Sequence, residues 1–412
     1  MKSKPHDHQQ RNLLTEVRDS GPLDLPPKRL SNRNPRSRTD DLRSRTSRWK
    51  LKRLQTALAF FYLLLSPALS IADETALLQH YLTNRVKIPA GTYTVDPNTG
   101  LWIPSNSTVD LRNVVINVLP TLEPLYGVIN VYASTNVTII KGVVNGERHF
   151  HEGESGEWGM GIMILHSHNI NVLGTTIYDC WGDGIYISGF STDITITSAT
   201  CDGNRRQGIS VISGSNILIR SCTCSNTSGT LPSCGINIEP NRGDSVSNCT
   251  ISDCTIFNNA GGGIQAGVSN ADIGESFVRG TRIYSNRIFN NGCINPPHST
   301  IHISNCENTQ VLRNILRNNT GTGIGLFDST NTVIHSNIAK EMKSTSNMSD
   351  AGILLSFDNQ TAVYNNRITD NQGWGIFVWH SNSFIGKNTL ARNLKGNTNI
   401  PSQPAKNQEL KE

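Results

Sequence analysis

Helix-length apolar patterns are nearly absent from this 412-residue chain, and aromatic residues make up only 6% of it. A core, if the chain builds one, must therefore come from strands. No CxxC pair is followed by a second such pair, which argues against a structural zinc site. Nine cysteines are present, all between residues 180 and 306. An odd number favours buried free thiols over a disulfide framework. The one sustained apolar run, Ala57 to Leu65, is too short for a comfortable membrane span. Basic charge is missing from most of the chain too. Residues 1–54 hold 15 Lys+Arg and 6 Asp+Glu, a net of +9 against a total of +5, so the remainder carries −4. A nucleic-acid function for the folded part thereby loses its electrostatic support.

What is present is a repeat. Its clearest copies are Gly184-Ile185-Tyr186-Ile187, Gly208-Ile209-Ser210-Val211 and Gly235-Ile236-Asn237-Ile238. Weaker copies begin at Gly161, Gly263, Gly323, Gly352 and Gly375, and Thr300 fills the glycine slot of another. The first four glycines, from Gly161, are separated by 23, 24 and 27 residues. A second strand-like run, such as Ile194-Thr195-Ile196, follows most copies, and each unit closes in a polar turn. This period and the apolar–polar alternation predict an all-β parallel solenoid over residues 86–390, of about ten coils. Asparagine pairs such as Asn258-Asn259 and Asn290-Asn291 predict stacked turn amides. Cys180, Cys201 and Cys222 recur every 21 residues, which predicts one stacked corner column.

Four segments follow. Residues 1–54 read as a disordered basic leader, and 55–72 as a signal peptide or signal anchor ending in Ser70-Ile71-Ala72. Residues 73–390 form the solenoid, its first coil capped by a short helix near 74–84. The polar tail 391–412 reads as disordered. The expected location is secreted, periplasmic or cell-surface, with membrane contact only through an uncleaved N-terminal segment.

The Gly-Ile-x-Ile repeat resembles the right-handed parallel β-helix repeat proteins, the superfamily of pectate lyases, polygalacturonases, alginate epimerases and phage tailspikes. Val86 to Tyr93 resembles the segment that leads into their first coil. The resemblance implies fold; activity is carried by side chains grafted on it. Trp181-Gly182-Asp183-Gly184-Ile185-Tyr186 resembles the Asn-Thr-Asp-Gly-Ile-Asp motif of polygalacturonases, with Asp183 on its first aspartate and Tyr186 in place of its second. The companion Gly-His-Gly and Arg-Ile-Lys motifs are missing, as is the Tyr-Gly-Phe-Asp-Pro-His run of alginate epimerases.

Chemistry is expected where coils depart from the repeat. Aligned on the first glycine, Met163, Tyr186, Ser210, Asn237, Gln265 and His302 form one outward column. Trp158, Trp181 and Arg205, with Arg206 beside the last, form another. Two indoles and a guanidinium at strand spacing suit sugar rings; the alternative is that the tryptophans fill a corner of the core. The excursion from Asn145 to Glu157 carries two histidines and four glutamates, and His149 and His151 suit general bases or transient metal ligands. Arg205 and Arg206 suit an anionic sugar, or an ion-pair ladder with Asp183 and Glu239. Backbone spacing separates Asp183 from Glu239 by ~19 Å, which excludes that pair from joint acid–base work. It leaves Glu157 and Asp183, at roughly 11 Å, as the pair that side chains can close. The expected catalytic set is Asp183, Tyr186, Arg205, Arg206, Glu157, His149 and His151. Trp158, Trp181, Glu239, Asn241 and Arg242 are expected to bind substrate.

The expected function is a carbohydrate-active protein working on an acidic polysaccharide by elimination, epimerisation or hydrolysis. The alternatives are a non-catalytic glycan-binding solenoid and a structural surface solenoid. No cofactor is required, although a divalent cation such as Ca2+ is compatible with the acids present.

Overall fold

In the computed structural model, residues 72–293, 299–345 and 347–400 are described. The leader and nearly all of the export segment lie outside them, as do residues 401–412. Three parallel sheets run the length of the solenoid. The first holds 12 strands, from Gly91–Val95 to Thr389–Ala391. The second also holds 12, from Leu101–Trp102 to Gly396–Thr398. The third holds 13, beginning at Ser107–Asp110. The solenoid thus has twelve coils where about ten were expected, and residues 391–398 belong to the last of them and not to a tail. Those residues are polar because an end coil has a neighbour on one side only, so little of it needs to be apolar.

The repeating glycine has a steric cause. A Cβ on Gly161 or Gly184 would lie 2.7 Å from the carbonyl oxygen of the corresponding glycine one coil on, and on Gly208 only 2.4 Å. The apolar residues after it, Ile162, Ile185, Ile209, Ile236 and Ile264, pair in register and fill the core. Their neighbours pair as the outward column Asn130, Met163, Tyr186, Ser210, Asn237, Gln265 and His302.

Asparagine holds the corners. Amides of Asn286, Asn314, Asn337, Asn366 and Asn388 hydrogen-bond in one ladder at 2.9–3.0 Å, and Asn259, Asn291 and Asn319 in a second at 2.9 Å. Asn258, Asn290 and Asn318 take the left-handed backbone that lets each turn reverse. The predicted cysteine column does not form. Cys201 registers with Ile177 and Cys224, because the coil here is longer than 21 residues and a 21-residue step drifts off the column. All nine thiols are free and buried, and burial pushes those of Cys249 and Cys306 up to about 12.

The first coil is capped by the helix Thr75–Thr83. Leu78 and Leu82 enter the core. The Gln79 amide pairs the edge backbone at Trp102 from both sides, at 3.0 and 2.8 Å. Backbone groups that an open edge would leave unpaired are satisfied in this way.

Candidate functional site

Asp183 sits between Gly182 and Gly184, just before the second-sheet strand Ile185–Ser188. A Cβ on Gly182 would lie 2.4 Å from the Glu157 carbonyl oxygen, so close stacking of the turns fixes glycine on both sides of the acid. Arg205 and Arg206 occupy the turn one coil on, with their N–H groups donating to Cys180 O at 3.0 Å and Gly182 O at 3.1 Å. Glu157 ends the long excursion, and Glu239 follows the strand Ile236–Ile238.

These elements bring three carboxylates onto one guanidinium. Arg206 Nη1 lies 3.2 Å from Asp183 Oδ2, Nε 3.7 Å from Glu157 Oε1, and Nη2 3.8 Å from Glu239 Oε2. The Asp183 side chain is fully buried and that of Arg206 is 13% exposed, whereas Glu157 and Glu239 are 30% and 39% exposed. Ser210 Oγ donates to Asp183 Oδ2 at 2.6 Å, and Asn237 Nδ2 to Glu239 Oε2 at 2.7 Å. Burial raises the Asp183 carboxyl to about 6, against the pull of Arg206 and the Ser210 hydroxyl and with a further push from Glu157. Burial works against the Arg206 charge, but Asp183, Glu239 and Glu157 outweigh it and hold the guanidinium above its ordinary value.

The exclusion of Asp183 with Glu239 is therefore corrected. Backbone spacing ignored two long side chains, Arg206 and Glu239, which close the gap from both ends. Glu157 and Asp183 do meet, at the same cation. Tyr186 lies in the column between Met163 and Ser210, buried, and burial pushes its hydroxyl well up.

The expected sugar platform is occupied by the protein itself. The Trp181 indole stacks on His151, centroids 3.8 Å apart and planes at 15°, and the Arg205 guanidinium lies 3.8 Å from its centroid. Arg205 is further held by Gly156 O at 2.8 Å. Trp181 packs against the core, and a Cβ on Gly159 would collide with it and with the Tyr126 ring. Trp158 is half-buried in its strand, in register with Leu125. His151 Nδ1 lies 3.0 Å from Glu147 Oε1, both side chains fully buried, and Tyr126 donates its hydroxyl to the same oxygen. His149 points the other way, exposed and 3.3 Å from Asp179. The 145–157 excursion is thus pinned by its own side chains and contributes only Glu157 to the cluster. Asn241 and Arg242 lie apart from it: Arg242 pairs with Glu275, and the Asn241 carbonyl accepts from Ser276 at 2.7 Å.

Sequence reasoning left out Ser210, Asn237, Tyr126 and Glu147 as site residues. The first two were visible as polar members of the outward column. Glu147 was one of four glutamates in the excursion, and nothing marked Tyr126. Among the described residues no three His, Cys, Asp or Glu side chains converge as a metal site, and no helix is long and apolar enough to cross a membrane.

The family model described as "Right handed beta helix region" matches residues 92–244, 159–278 and 233–395. Among curated proteins, Bacillus subtilis (strain 168) "Uncharacterized protein YclG" is 29% identical over 197 residues, 40% of this chain and 33% of that protein. "SPbeta prophage-derived uncharacterized protein YorA" of the same strain is 26% identical over 222 residues, 45% and 38% of the two chains. The chain thus spans little more than a third of the length of these relatives. Among solved structures, PfbA, a surface adhesin of Streptococcus pneumoniae, superposes with TM-score 0.55 at 13% identity, covering 80% of this chain and 88% of that one. A tailspike protein of E. coli bacteriophage HK620, in complex with a pentasaccharide, gives 0.57 at 14% over 79% and 64%. The A-module of Azotobacter vinelandii mannuronan C-5 epimerase AlgE4 gives 0.50 at 14% over 78% and 96%. At these identities the likeness concerns the fold alone.

Proposed function

The chain belongs to the right-handed β-helix family, and from that footing we propose that it is a glycan-active protein that hydrolyses a glycosidic bond at the Arg206 cluster. The observation that carries the reading is the convergence of Glu157, Asp183 and Glu239 on one guanidinium. Glycoside hydrolysis needs one carboxyl group to protonate the leaving oxygen and a second carboxylate to activate water or attack the ring carbon. Glu157 and Glu239 are the partly exposed members and so the pair a substrate can reach. Arg206 fixes both, and Asp183 beneath it is the buried countercharge, anchored by Ser210.

Charge also bears on the substrate. Three carboxylates against one guanidinium leave the cluster net negative, and Arg205 is committed to Trp181. The expectation of an acidic sugar rested on arginines short of acids, and Arg206 has three. A reacting ring without its own carboxylate fits this charge, and elimination through an arginine-neutralised uronate does not. The pentasaccharide carried by the HK620 tailspike lends the glycan reading analogy only. The Ala57–Leu65 run and Ser70-Ile71-Ala72 support action outside the cytoplasm.

A second reading, glycan binding without turnover, is favoured by the burial of Asp183 and Tyr186. One assay separates them. The chain is incubated with a panel of neutral and uronate-containing polymers, and reducing ends and unsaturated product are measured separately. New reducing ends without ultraviolet absorbance are expected. Unsaturated product would replace hydrolysis with elimination. Retention by a polymer without either product would leave the binding reading, and no retention at all would refute both.

A further inference from the structure

We propose that the C-terminal coils carry a second glycan contact, an uncharged aromatic ridge that holds a polymer whose other end reaches the Arg206 cluster. The inference rests on the hydrolase reading for its far end, and on different residues for its own.

Between Asp370 and Lys387 the sequence has no charged residue, yet it holds Trp374, Phe377, Trp379, His380 and Phe384. Their rings form a continuous run. Trp374 and Phe377 centroids lie 6.0 Å apart, Phe377 and Trp379 6.3 Å, and Trp379 and His380 5.7 Å. His380 then stacks on Phe357 of the preceding coil at 5.4 Å. Trp379 is 50% exposed and Phe357 56%. An exposed apolar cluster of this kind marks a contact surface, where scattered single residues would not.

Two observations select the occupant. The interleaved polar groups, Ser381, Asn382 and Ser383, are all uncharged, which suits the hydroxyls of a neutral sugar better than the charged rim of a protein interface. Aromatic faces offer apolar area to the C–H face of a ring. The ridge also continues the floor of the candidate site. Phe377 pairs with Leu354, and that column runs through Gly325, His302, Gln265, Asn237 and Ser210 to Tyr186. At strand spacing the seven steps span ~34 Å. Only a polymer can touch both ends, so the ridge should matter for long glycans and not for short fragments.

The test is affinity electrophoresis of the full chain in gels containing dextran, xylan, galactomannan, alginate or polygalacturonate. Parent, Trp379→Ala, Trp379→Phe, Phe357→Ala and Glu239→Gln are compared, with circular dichroism to confirm folding and sedimentation to report self-association. At least one neutral polymer should retard the parent. Trp379→Ala and Phe357→Ala should each weaken that retention by roughly three- to tenfold, and Trp379→Phe by less. Turnover of di- and trisaccharide fragments should stay at the parent level in the Trp379 variants. Retention of Trp379→Ala equal to the parent overturns the ridge, while loss of turnover in Glu239→Gln leaves the hydrolase reading standing. The reverse pattern keeps the ridge and removes the catalytic assignment. A parent that no polymer retards, or Trp379 variants altered only in self-association, overturns the ridge outright.

Discussion

Replacing Arg206 by methionine keeps most of its volume and removes the only cation that touches Asp183. Asp183 is fully buried and Arg206 nearly so, so the change leaves an uncompensated buried carboxylate, a loss of about 3–5 kcal/mol where that carboxylate is ionised. The sign with pH follows from linkage. Asp183 is raised from 3.8 to about 6, so the native state holds the proton more tightly than the unfolded chain. Its contribution is fully present below about pH 4 and is lost as pH rises through about 6, by roughly 3 kcal/mol in the parent. Without Arg206 the carboxyl moves higher still, and the loss extends to higher pH. The gap between parent and Arg206→Met should therefore be widest near pH 8 and shrink to the cost of lost hydrogen bonds, about 1–2 kcal/mol, near pH 4.5. Urea unfolding followed by far-ultraviolet circular dichroism at both values measures it. A gap of equal size at both would mean that Asp183 is not the group Arg206 compensates.

Further outcomes follow from other parts of the fold. Glu239→Gln and Glu157→Gln should each lower hydrolysis by about a hundredfold or more, with retention on the polymer kept, as measured by reducing ends. Asn314→Ala, in the middle of the amide ladder, removes the partners of Asn286 and Asn337 and should cost about 1–3 kcal/mol in thermal or urea unfolding. His302 is fully buried and burial lowers it to about 4, so its contribution is present above pH 6.5 and lost as pH falls through about 4. His302→Leu should remove that rise and expose the opposite slope from Asp183 in a pH series of unfolding midpoints.

The fold was legible because each coil repeats one steric problem. Gly184, Gly208 and Gly235 meet a neighbouring backbone carbonyl at less than 3 Å from a would-be Cβ, so glycine must recur where coils stack. The isoleucines beside them must recur to fill the core. Three errors came from features that do not repeat. The 21-residue cysteine spacing was arithmetic without a structural period. The number of coils was short by two because end coils are polar. The last strand, Gly396–Thr398, carries no apolar residue at all.

The site was legible only in part, because a sequence column fixes where a Cα sits and not how far a side chain reaches. The outward column located Tyr186, Ser210 and Asn237 correctly, and register confirms it. The same reasoning ruled out Asp183 with Glu239, since it counted strands and rungs but not the length of Arg206 between them. It also treated Trp181 as a free platform. Trp181 is instead the middle of a stack with His151 and Arg205, and those two residues arrive from a loop and from the next coil. An aromatic next to two long charged side chains will be covered by them unless something else competes. Trp379 has no such neighbour: the nearest charges in sequence are Asp370 and Lys387, and its ring stays half exposed. Where charge is dense on this solenoid, side chains pair with one another, and where it is absent, rings are left open to a ligand.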